Sequence, residues 1–485
     1  MGRFKDIFGQ SLSAERADTI EGWNRAILDY FTFKGDPVSE ALELAHDRSF
    51  VMGDVFAATM LVFDGATASS PQVSSILRRL EALHDAVSAQ EQGHIRAVRA
   101  CAEGGISLAA GCWDRVLMAH PLDIVAMKLA HEAYFLIGDA NGMLRSVSAA
   151  LPHWRPDMKA YGFLLGQHAF GLEECHQYAA AEGPARLALE LEPDDCWALH
   201  ALTHVYEMQG RHFDCLSLLD AMRSRWENQP LLAAHIWWHL ALRYVADGRF
   251  EQALAVYDEQ LAKVNVSSAF RLTDGTSLLW RLELAGASVG DRWAELADKW
   301  SAHAGRHANG FLDVHIAMAL AAAGRQSEVE RFLAGFNEDA GETTSELGEI
   351  RRQVTAPACR ALVAYRAGDD RTAIGTLASL LPALHRIGGS NAQRDLFDRT
   401  LSASMLRAGE LARSRGFLLR LLAEHPNAAW VLDDMATLEA QSNDPAMASV
   451  YRARASLAVA PIAENGRSRA SLAGGARHQR SDRRH

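Results

Sequence analysis

One pattern occurs twice in the middle of this chain, as Trp197-Ala-Leu-His-Ala-Leu-Thr-His-Val-Tyr-Glu-Met-Gln-Gly210 and as His235-Ile-Trp-Trp-His-Leu-Ala-Leu-Arg-Tyr-Val-Ala-Asp-Gly248. Aligning the two glycines makes Tyr206 equivalent to Tyr244 and Leu202 equivalent to Leu240. Apolar residues recur three and four positions apart in both copies, as on one face of an α-helix. The pattern predicts two successive helices that use equivalent residues for packing.

The second copy continues as Arg249-Phe-Glu-Gln-Ala-Leu-Ala-Val-Tyr257, which completes the spacing typical of a tetratricopeptide repeat. Glycines that suit the end of a helix punctuate the chain at Gly138, Gly210, Gly248, Gly286, Gly324, Gly368 and Gly409. A helical hairpin cannot bury its own apolar stripe, so neighbouring hairpins must cover it. The sequence therefore predicts an all-α fold, a tetratricopeptide-like right-handed α-solenoid of stacked helical hairpins.

The predicted organisation has three parts. Residues 1–36 form an N-terminal helical segment, and residues 37–460 form the solenoid. Residues 461–485 are rich in Arg, Ser and Gly, which predicts a disordered basic tail because such a composition cannot build a core.

Composition limits the function. The chain has 485 residues and a formal net charge of −11, which argues against nucleic-acid binding because that function needs a basic face. No apolar run is long enough to span a bilayer and no secretory signal is visible, so we expect no membrane association. The six cysteines include no C-x-x-C pair. These features predict a cytoplasmic protein, and they are compatible with a homo-oligomer.

The same register leaves a strip of polar and aromatic side chains that packing does not use. His200, His204 and Glu207 share one face of the first helix, and His235, Trp238 and His239 share the equivalent face of the second. In a solenoid this strip faces the concave inner surface. Extending the register to neighbouring hairpins adds further candidates to the inner wall, namely Gln167, Phe170, Glu173, Glu174, Trp280 and His315.

Four stretches carry a resemblance to a known family. They are Tyr161-Gly-Phe-Leu-Leu-Gly-Gln-His-Ala-Phe-Gly-Leu-Glu-Glu174, Trp197–Met208, His235–His239 and Gly388-Gly-Ser-Asn-Ala-Gln-Arg-Asp395. In these stretches the chain resembles the tetratricopeptide repeat protein 38 family, and the similarity extends over residues 37–426. The resemblance implies an all-α repeat fold and a cytoplasmic protein. It implies no catalytic residues.

Two histidines at i and i+4 can chelate one metal ion from a single helix turn. Here such a pair occurs on two consecutive inner helices, so the candidate metal ligands are His200, His204, His235, His239 and Glu174. Imidazoles with a carboxylate suit a divalent metal, either zinc or, with more carboxylates, iron or manganese. The sequence contains no H-E-x-x-H motif, which leaves a metal-free site open.

The principal functional hypothesis is binding of a small polar molecule or a peptide in a concave groove lined by His, Glu and Trp. Its candidate ligand-binding residues are Gln167, Phe170, Glu174, His200, His204, Glu207, His235, Trp238, His239, Trp280 and His315. An alternative is a metal-assisted or His/Glu acid–base hydrolase of a small amide or ester, with His204, Glu207 and His239 as candidate catalytic residues. A third hypothesis is a protein–protein scaffold.

The Gly388–Asp395 stretch predicts a turn that precedes a helix, with Ser390 or Asn391 as the N-cap. It lacks the spacing and the lysine of a phosphate-binding loop. If the superhelix curls back on itself, we expect Asn391, Gln393 and Asp395 to close the far side of the groove.

Overall fold

A computed structural model describes residues 2–263, 269–305, 307, 309–338 and 345–459. The predicted tail, residues 461–485, lies outside the described residues. The chain begins with two short strands, β1 (Gly2–Lys5) and β2 (Ser11–Ala14), which pair as an antiparallel hairpin. The hairpin occupies the first part of the segment predicted to be helical, residues 1–36, in which the first helix begins at Ala17. It packs on the solenoid through Ser13, whose backbone N and Oγ both donate to the carboxylate of Glu91.

The rest of the described chain is helical. The first half contains α1 (Ala17–Thr32), α2 (Pro37–Glu43), α3 (Val51–Phe63), α4 (Pro71–Leu83), α5 (Ala89–Ala102), α6 (Ile106–Ala119), α7 (Ile124–Leu136), α8 (Ala140–Ala150), α9 (Tyr161–Glu174), α10 (Tyr178–Leu191), α11 (Cys196–Met208), α12 (His212–Ala221) and α13 (Arg223–Trp226). The second half contains α14 (Ala233–Ala246), α15 (Phe250–Val256), α16 (Phe270–Leu284), α17 (Arg292–Ser301), α18 (Gly310–Ala322), α19 (Gln326–Glu338), α20 (Glu346–Ile350), α21 (Ala356–Arg366), α22 (Asp370–Leu380), α23 (Asn391–Arg407), α24 (Leu411–Glu424), α25 (Ala429–Gln441) and α26 (Pro445–Val459).

Consecutive helices form hairpins, and the hairpins stack. Each of α5, α7, α9 and α11 packs against the helix that follows it, and so do α21, α23 and α25. First helices also pack on first helices, as in α9 with α11, α14 with α16, and α16 with α18. The fold is therefore an all-α, tetratricopeptide-like solenoid, as predicted. No helix in the described ranges is long and apolar enough to cross a membrane.

One hydrophobic core runs from Leu12 to Met405, and a smaller cluster lies under the last helices around Leu418 and Met435. Residues 2–36 contribute Leu12, Trp23 and Phe31 to the large core. The N-terminal segment is thus continuous with the repeats in its packing.

The superhelix curls back, so that α23 contacts both α11 and α16. The turn before α23 lies against the turn between α7 and α8, where a side chain at Gly388 would meet the backbone oxygen of Leu136 at 2.6 Å. Ser390 is the N-cap of α23 and forms a capping box with Gln393. Across the curl, the backbone N of Asn391 donates to Glu174 at 2.9 Å, and Arg281 pairs with Asp395. The predicted position of Asn391 and Asp395 opposite the inner helices is therefore observed, while Gln393 caps the helix.

Candidate functional site

The four histidines of α11 and α14 meet in the interior of the superhelix. His200 and His204 stand one turn apart on α11, and His235 and His239 stand one turn apart on α14. One ring nitrogen from each of the four lies within 4.8 Å of the other three. We call these residues the histidine tetrad. The register of Gly210 with Gly248 is what places them on facing strips.

Nδ1 of three tetrad rings contacts a carboxylate from another helix. His239 Nδ1 lies 2.8 Å from Glu207, and His235 Nδ1 lies 2.8 Å from Asp274 on α16. His204 Nδ1 lies 3.3 Å from Glu173 on α9. Glu173 and Glu207 were predicted to lie on the inner strip. Asp274 was missed, although extending the inner strip by one hairpin reaches α16.

The opposite ring nitrogens face one another in two pairs. His204 Nε2 lies 3.1 Å from His239 Nε2, and His235 Nε2 lies 3.0 Å from His200 Nε2. A ring that donates Nδ1–H to a carboxylate presents a bare lone pair at Nε2. Two lone pairs at this separation repel unless a proton or a metal ion lies between them.

Burial keeps three of these rings, those of His200, His204 and His239, neutral. The side chains of His200, His204 and His239 are at most 2% exposed, while His235 is 15% exposed. Burial lowers the pKa of His204 to about 4 and moves the pKa of His200 and of His239 well below 6.5. Neutral imidazole is the form that ligates metals.

Two adjacent carboxyls of α9 lie beside His204. Burial raises the pKa of Glu173 to about 8 and, together with the neighbouring Glu173 charge, raises the pKa of Glu174 to about 7. Glu174 accepts from Asn391 and pairs with Arg394 at 3.4 Å. Glu173, Glu174 and His204 form a second group whose potential ligand atoms lie within 4.8 Å of one another.

Aromatic rings form the walls of the tetrad. Phe170 stacks on His200 with a centroid distance of 5.5 Å and an interplanar angle of 22°. Trp238 stacks on His235 at 5.1 Å and 16°, and Trp197 lies 5.0 Å from His200. Phe170 and Trp238 were predicted on the inner strip, whereas Trp197 belonged to the packing pattern. These three aromatic side chains cover the imidazoles and limit how far they can rotate.

Two predicted ligand-binding residues lie elsewhere in the interior. Trp280 donates its Nε1–H to Thr400 at 3.0 Å and so helps to attach α23. His315 Nδ1 lies 2.6 Å from the backbone oxygen of Phe311 in its own helix. Gln167 is buried on α9, one turn before Phe170.

A cavity of about 890 Å³ lies between the middle hairpins and the returning C-terminal helices. Its wall includes Leu242, Arg243, Phe250, Arg281, Asp398 and Trp430. Glu207 also lines this cavity, and it contacts His239 and pairs with Arg243 at 2.9 Å. Glu207 therefore separates the tetrad from the cavity.

The prediction of an open groove at the tetrad is wrong, because the structure buries most of the tetrad. The four rings are enclosed because α23 and the helices after it lie across the inner face of the middle hairpins. The sequence placed the rings together but did not reveal how far the superhelix closes.

No family model matches this chain. Among solved structures it is similar to the TPR domain of P58(IPK), at 13% identity and a TM-score of 0.22, over 76% of this chain and 92% of that chain. It is also similar to the APC/C hetero-tetramer Cut9–Hcn1, at 12% identity and a TM-score of 0.27, over 92% of this chain and 94% of that chain. The fold assignment rests on the stacked hairpins themselves. Solenoids of this kind present extended curved surfaces suited to binding proteins or peptides.

Proposed function

We propose that this chain binds a divalent metal ion through the histidine tetrad, at the wall of a cavity that receives a small polar molecule or a peptide segment. The observation that carries the proposal is the two-sided arrangement of the rings. Nε2 atoms face inward in pairs 3.0–3.1 Å apart, while Nδ1 of three rings contacts a carboxylate. Carboxylates behind ligating imidazoles fix the ring tautomer in metal sites.

The distances suit a metal ion. Nitrogens about 2.0–2.1 Å from a zinc ion lie about 3.3 Å from one another in a tetrahedron. Both facing Nε2 pairs are already near that separation, and each of the four residues offers one ring nitrogen that lies within 4.8 Å of those offered by the other three. Imidazole ligands suit zinc or iron better than calcium or magnesium, and the carboxylates beside the tetrad keep manganese as a further candidate.

A metal-free arrangement of the same rings is the alternative. In it His204 donates Nε2–H to His239, so its Nδ1 must accept a proton from Glu173. The raised pKa of Glu173, about 8, permits this arrangement at neutral pH. Hydrogen bonding explains the His204–His239 pair and the His200–His235 pair separately, whereas one metal ion would explain why all four rings converge. Convergence is therefore the feature on which the proposal depends.

Coordination number decides what the metal can do. Four imidazoles complete a tetrahedral site, which then holds α11 and α14 together. A six-coordinate ion keeps open positions, at which it can polarise an amide carbonyl or activate water, as the hydrolase hypothesis requires. Glu207 is the carboxylate that lies between such an ion and the cavity.

We also propose that the chain belongs with the tetratricopeptide repeat protein 38 family. The support is spatial: the four stretches that carry the resemblance lie around one interior site. Residues 161–174 supply Glu173, residues 197–208 and 235–239 supply the tetrad, and residues 388–395 supply the Asn391 contact to Glu174. Motifs distant in sequence thus mark the same place in the fold.

Elemental analysis of protein purified without chelator tests the metal proposal. We expect about one zinc, iron or manganese ion per chain, and loss of that ion in His239→Ala and in the milder His239→Asn. His153→Ala, at an exposed position, is the control and should keep the metal. A metal-free wild type that also takes up none on incubation with these ions would overturn the proposal and leave the hydrogen-bonded tetrad.

A further inference from the structure

The two ends of the cavity of about 890 Å³ differ in their exposure to solvent. At the inner end, Arg243 and Arg281 line the cavity, and their side chains are at most 5% exposed. At the other end, Arg420 and Glu424 line it with side chains that are 46% and 50% exposed. The cavity is therefore closed beside the tetrad and opens towards solvent at α24, which gives a guest a path to the interior.

Carboxyl side chains from three helices line this open end. Asp398 lies on α23, Glu424 on α24, and Asp433 and Asp434 on α25. We call these four residues the acidic wall. Asp434 accepts from Ser402 Oγ at 2.6 Å, and Ser402 follows Asp398 by one turn of α23. The carboxyls of Asp398 and Asp434 therefore border the same stretch of α23.

The acidic wall and the neighbouring Asp395 together hold more carboxyls than the arginines around them can balance. Arg420 is shared between Glu424, at 3.0 Å, and Asp398, at 3.7 Å. The other arginines that act on this set are Arg281, Arg399 and Arg452. Among the described residues, four cations thus face five carboxyls, so one negative charge is left over when all of them are ionised.

Burial makes this imbalance costly. It raises the pKa of Asp398 to about 7 and that of Asp434 to about 6, and the charges of Arg420 and Arg399 lower these values only in part. A partly buried carboxylate is stabilised by a cation at hydrogen-bond distance. The acidic wall therefore favours a positively charged guest over a neutral or an anionic one.

The same end of the cavity already holds one guanidinium group. Arg399 lies over the Trp430 ring, 4.7 Å from its centroid, while its Nε donates to Asp395 at 2.8 Å. A planar cation between an indole and a carboxylate gains from both contacts. Leu421 and Val431 also line the cavity and offer apolar surface to an alkyl stem.

We propose that the acidic wall binds the guanidinium group of a guest, such as an arginine side chain, that enters through the open end of the cavity. The inference rests on the proposed function, which places a small polar molecule or a peptide segment in this cavity, and it specifies the charge of that guest. It does not require a metal ion, because the acidic wall shares no residue with the tetrad.

Calorimetric titration of the full-length protein at pH 8, where Asp398 and Asp434 are ionised, tests the proposal. The probes are Nα-acetyl-argininamide and Nα-acetyl-citrullinamide, which have nearly the same shape but differ by one positive charge. We expect saturable binding of the argininamide, with Kd at least tenfold lower than for the citrullinamide. Asp398→Asn and Asp434→Asn should each raise the Kd of the argininamide about tenfold, equivalent to about 1.4 kcal/mol.

Asp220→Asn, which removes a carboxylate that is 80% exposed, is the matched control and should bind the argininamide as wild type does. Unchanged Kd in both Asp398→Asn and Asp434→Asn would overturn the proposal. Equal binding of the two probes would also overturn it, but would leave the cavity as a binding site. Absence of any binding would overturn it as well, while the metal content of the same samples decides the metal proposal separately.

Discussion

At the scale of single residues, His239 joins the two sides of the site. Its Nε2 faces His204 at 3.1 Å, and its Nδ1 contacts Glu207 at 2.8 Å. Glu207 in turn pairs with Arg243 and lines the cavity. Glu207 is therefore in contact with both the cavity and the tetrad.

We predict that Glu207→Gln weakens metal binding without abolishing it. An amide accepts the Nδ1–H of His239 less strongly than a carboxylate, so the imidazole becomes a poorer ligand. Loss of an outer partner of this kind costs about 10–100-fold in affinity. Competition with a chromogenic chelator measures the change, and Glu190→Gln on the exposed face of α10 is the control. Unchanged affinity would mean that Glu207 does not orient a metal ligand.

Asp398 in the cavity wall predicts a pH effect on stability. Burial raises its pKa to about 7, although Arg420, 3.7 Å away, lowers it. The folded state therefore holds this proton more tightly than the unfolded state, whose pKa is near 3.8. The resulting stability is full below the unfolded pKa and is lost as pH rises through about 7.

Asp398→Asn removes that loss, because the amide stays neutral. We expect the free energy of unfolding of the variant, relative to wild type, to increase from about pH 5 to about pH 8. Urea denaturation at both pH values measures it. Asp220→Asn, at a side chain that is 80% exposed, should show no such trend. The same trend in both variants would assign the effect to overall charge.

At the scale of helices, the register of two turns was enough to predict which side chains meet. Gly210 and Gly248 each follow a helix and have φ of +69° and +68°, so the alignment that places His200 opposite His235 starts from equivalent backbone positions. Helical periodicity then fixes the face on which each histidine lies. Such local information is present in the sequence.

Contacts between distant elements were harder to predict. Asp274 lies on α16, the helix from which the register predicted Trp280, but its contact with His235 depends on how α14 and α16 pack. The β1–β2 hairpin is held by Ser13 and Glu91, which are far apart in sequence. Trp280 was placed on the inner strip, but its hydrogen bond to Thr400 depends on the returning α23. Tertiary packing, rather than local propensity, decides these cases.

The turn between α7 and α8 provides a test of the closure. Gly138 has a φ of +65°, and a side chain there would overlap the backbone of His385. Gly409 has a φ of +72° but meets nothing within 4 Å. Alanine in a left-handed conformation costs about 1–2 kcal/mol. We expect Gly409→Ala to cost that much, and Gly138→Ala to cost about 1–3 kcal/mol more because it forces the two turns apart.

Chemical denaturation of both glycine variants measures the difference. Small-angle scattering then shows whether Gly138→Ala expands the molecule while Gly409→Ala does not. Equal losses of stability would contradict the contact between the α7–α8 turn and the turn before α23.

At the scale of the whole molecule, closure of the superhelix converts an inner surface into an interior. Asn391 and Arg394 contact Glu174, which lies beside His204, and Asp395 pairs with Arg281 of α16, so α23 is attached to the inner helices on both sides of the tetrad. The rings of His200, His204 and His239 are buried and neutral, which favours the binding of a metal ion. The cavity beside them, of about 890 Å³, lies within the usual size range of a small-molecule site.

Anomalous X-ray diffraction at the absorption edge of the bound metal, from crystals grown without chelator, is the most direct measurement. The account predicts one strong peak between His200, His204, His235 and His239, about 2.0–2.2 Å from the Nε2 atom of each ligating ring. An ordered tetrad with no anomalous peak, or a peak held by other residues, would contradict it.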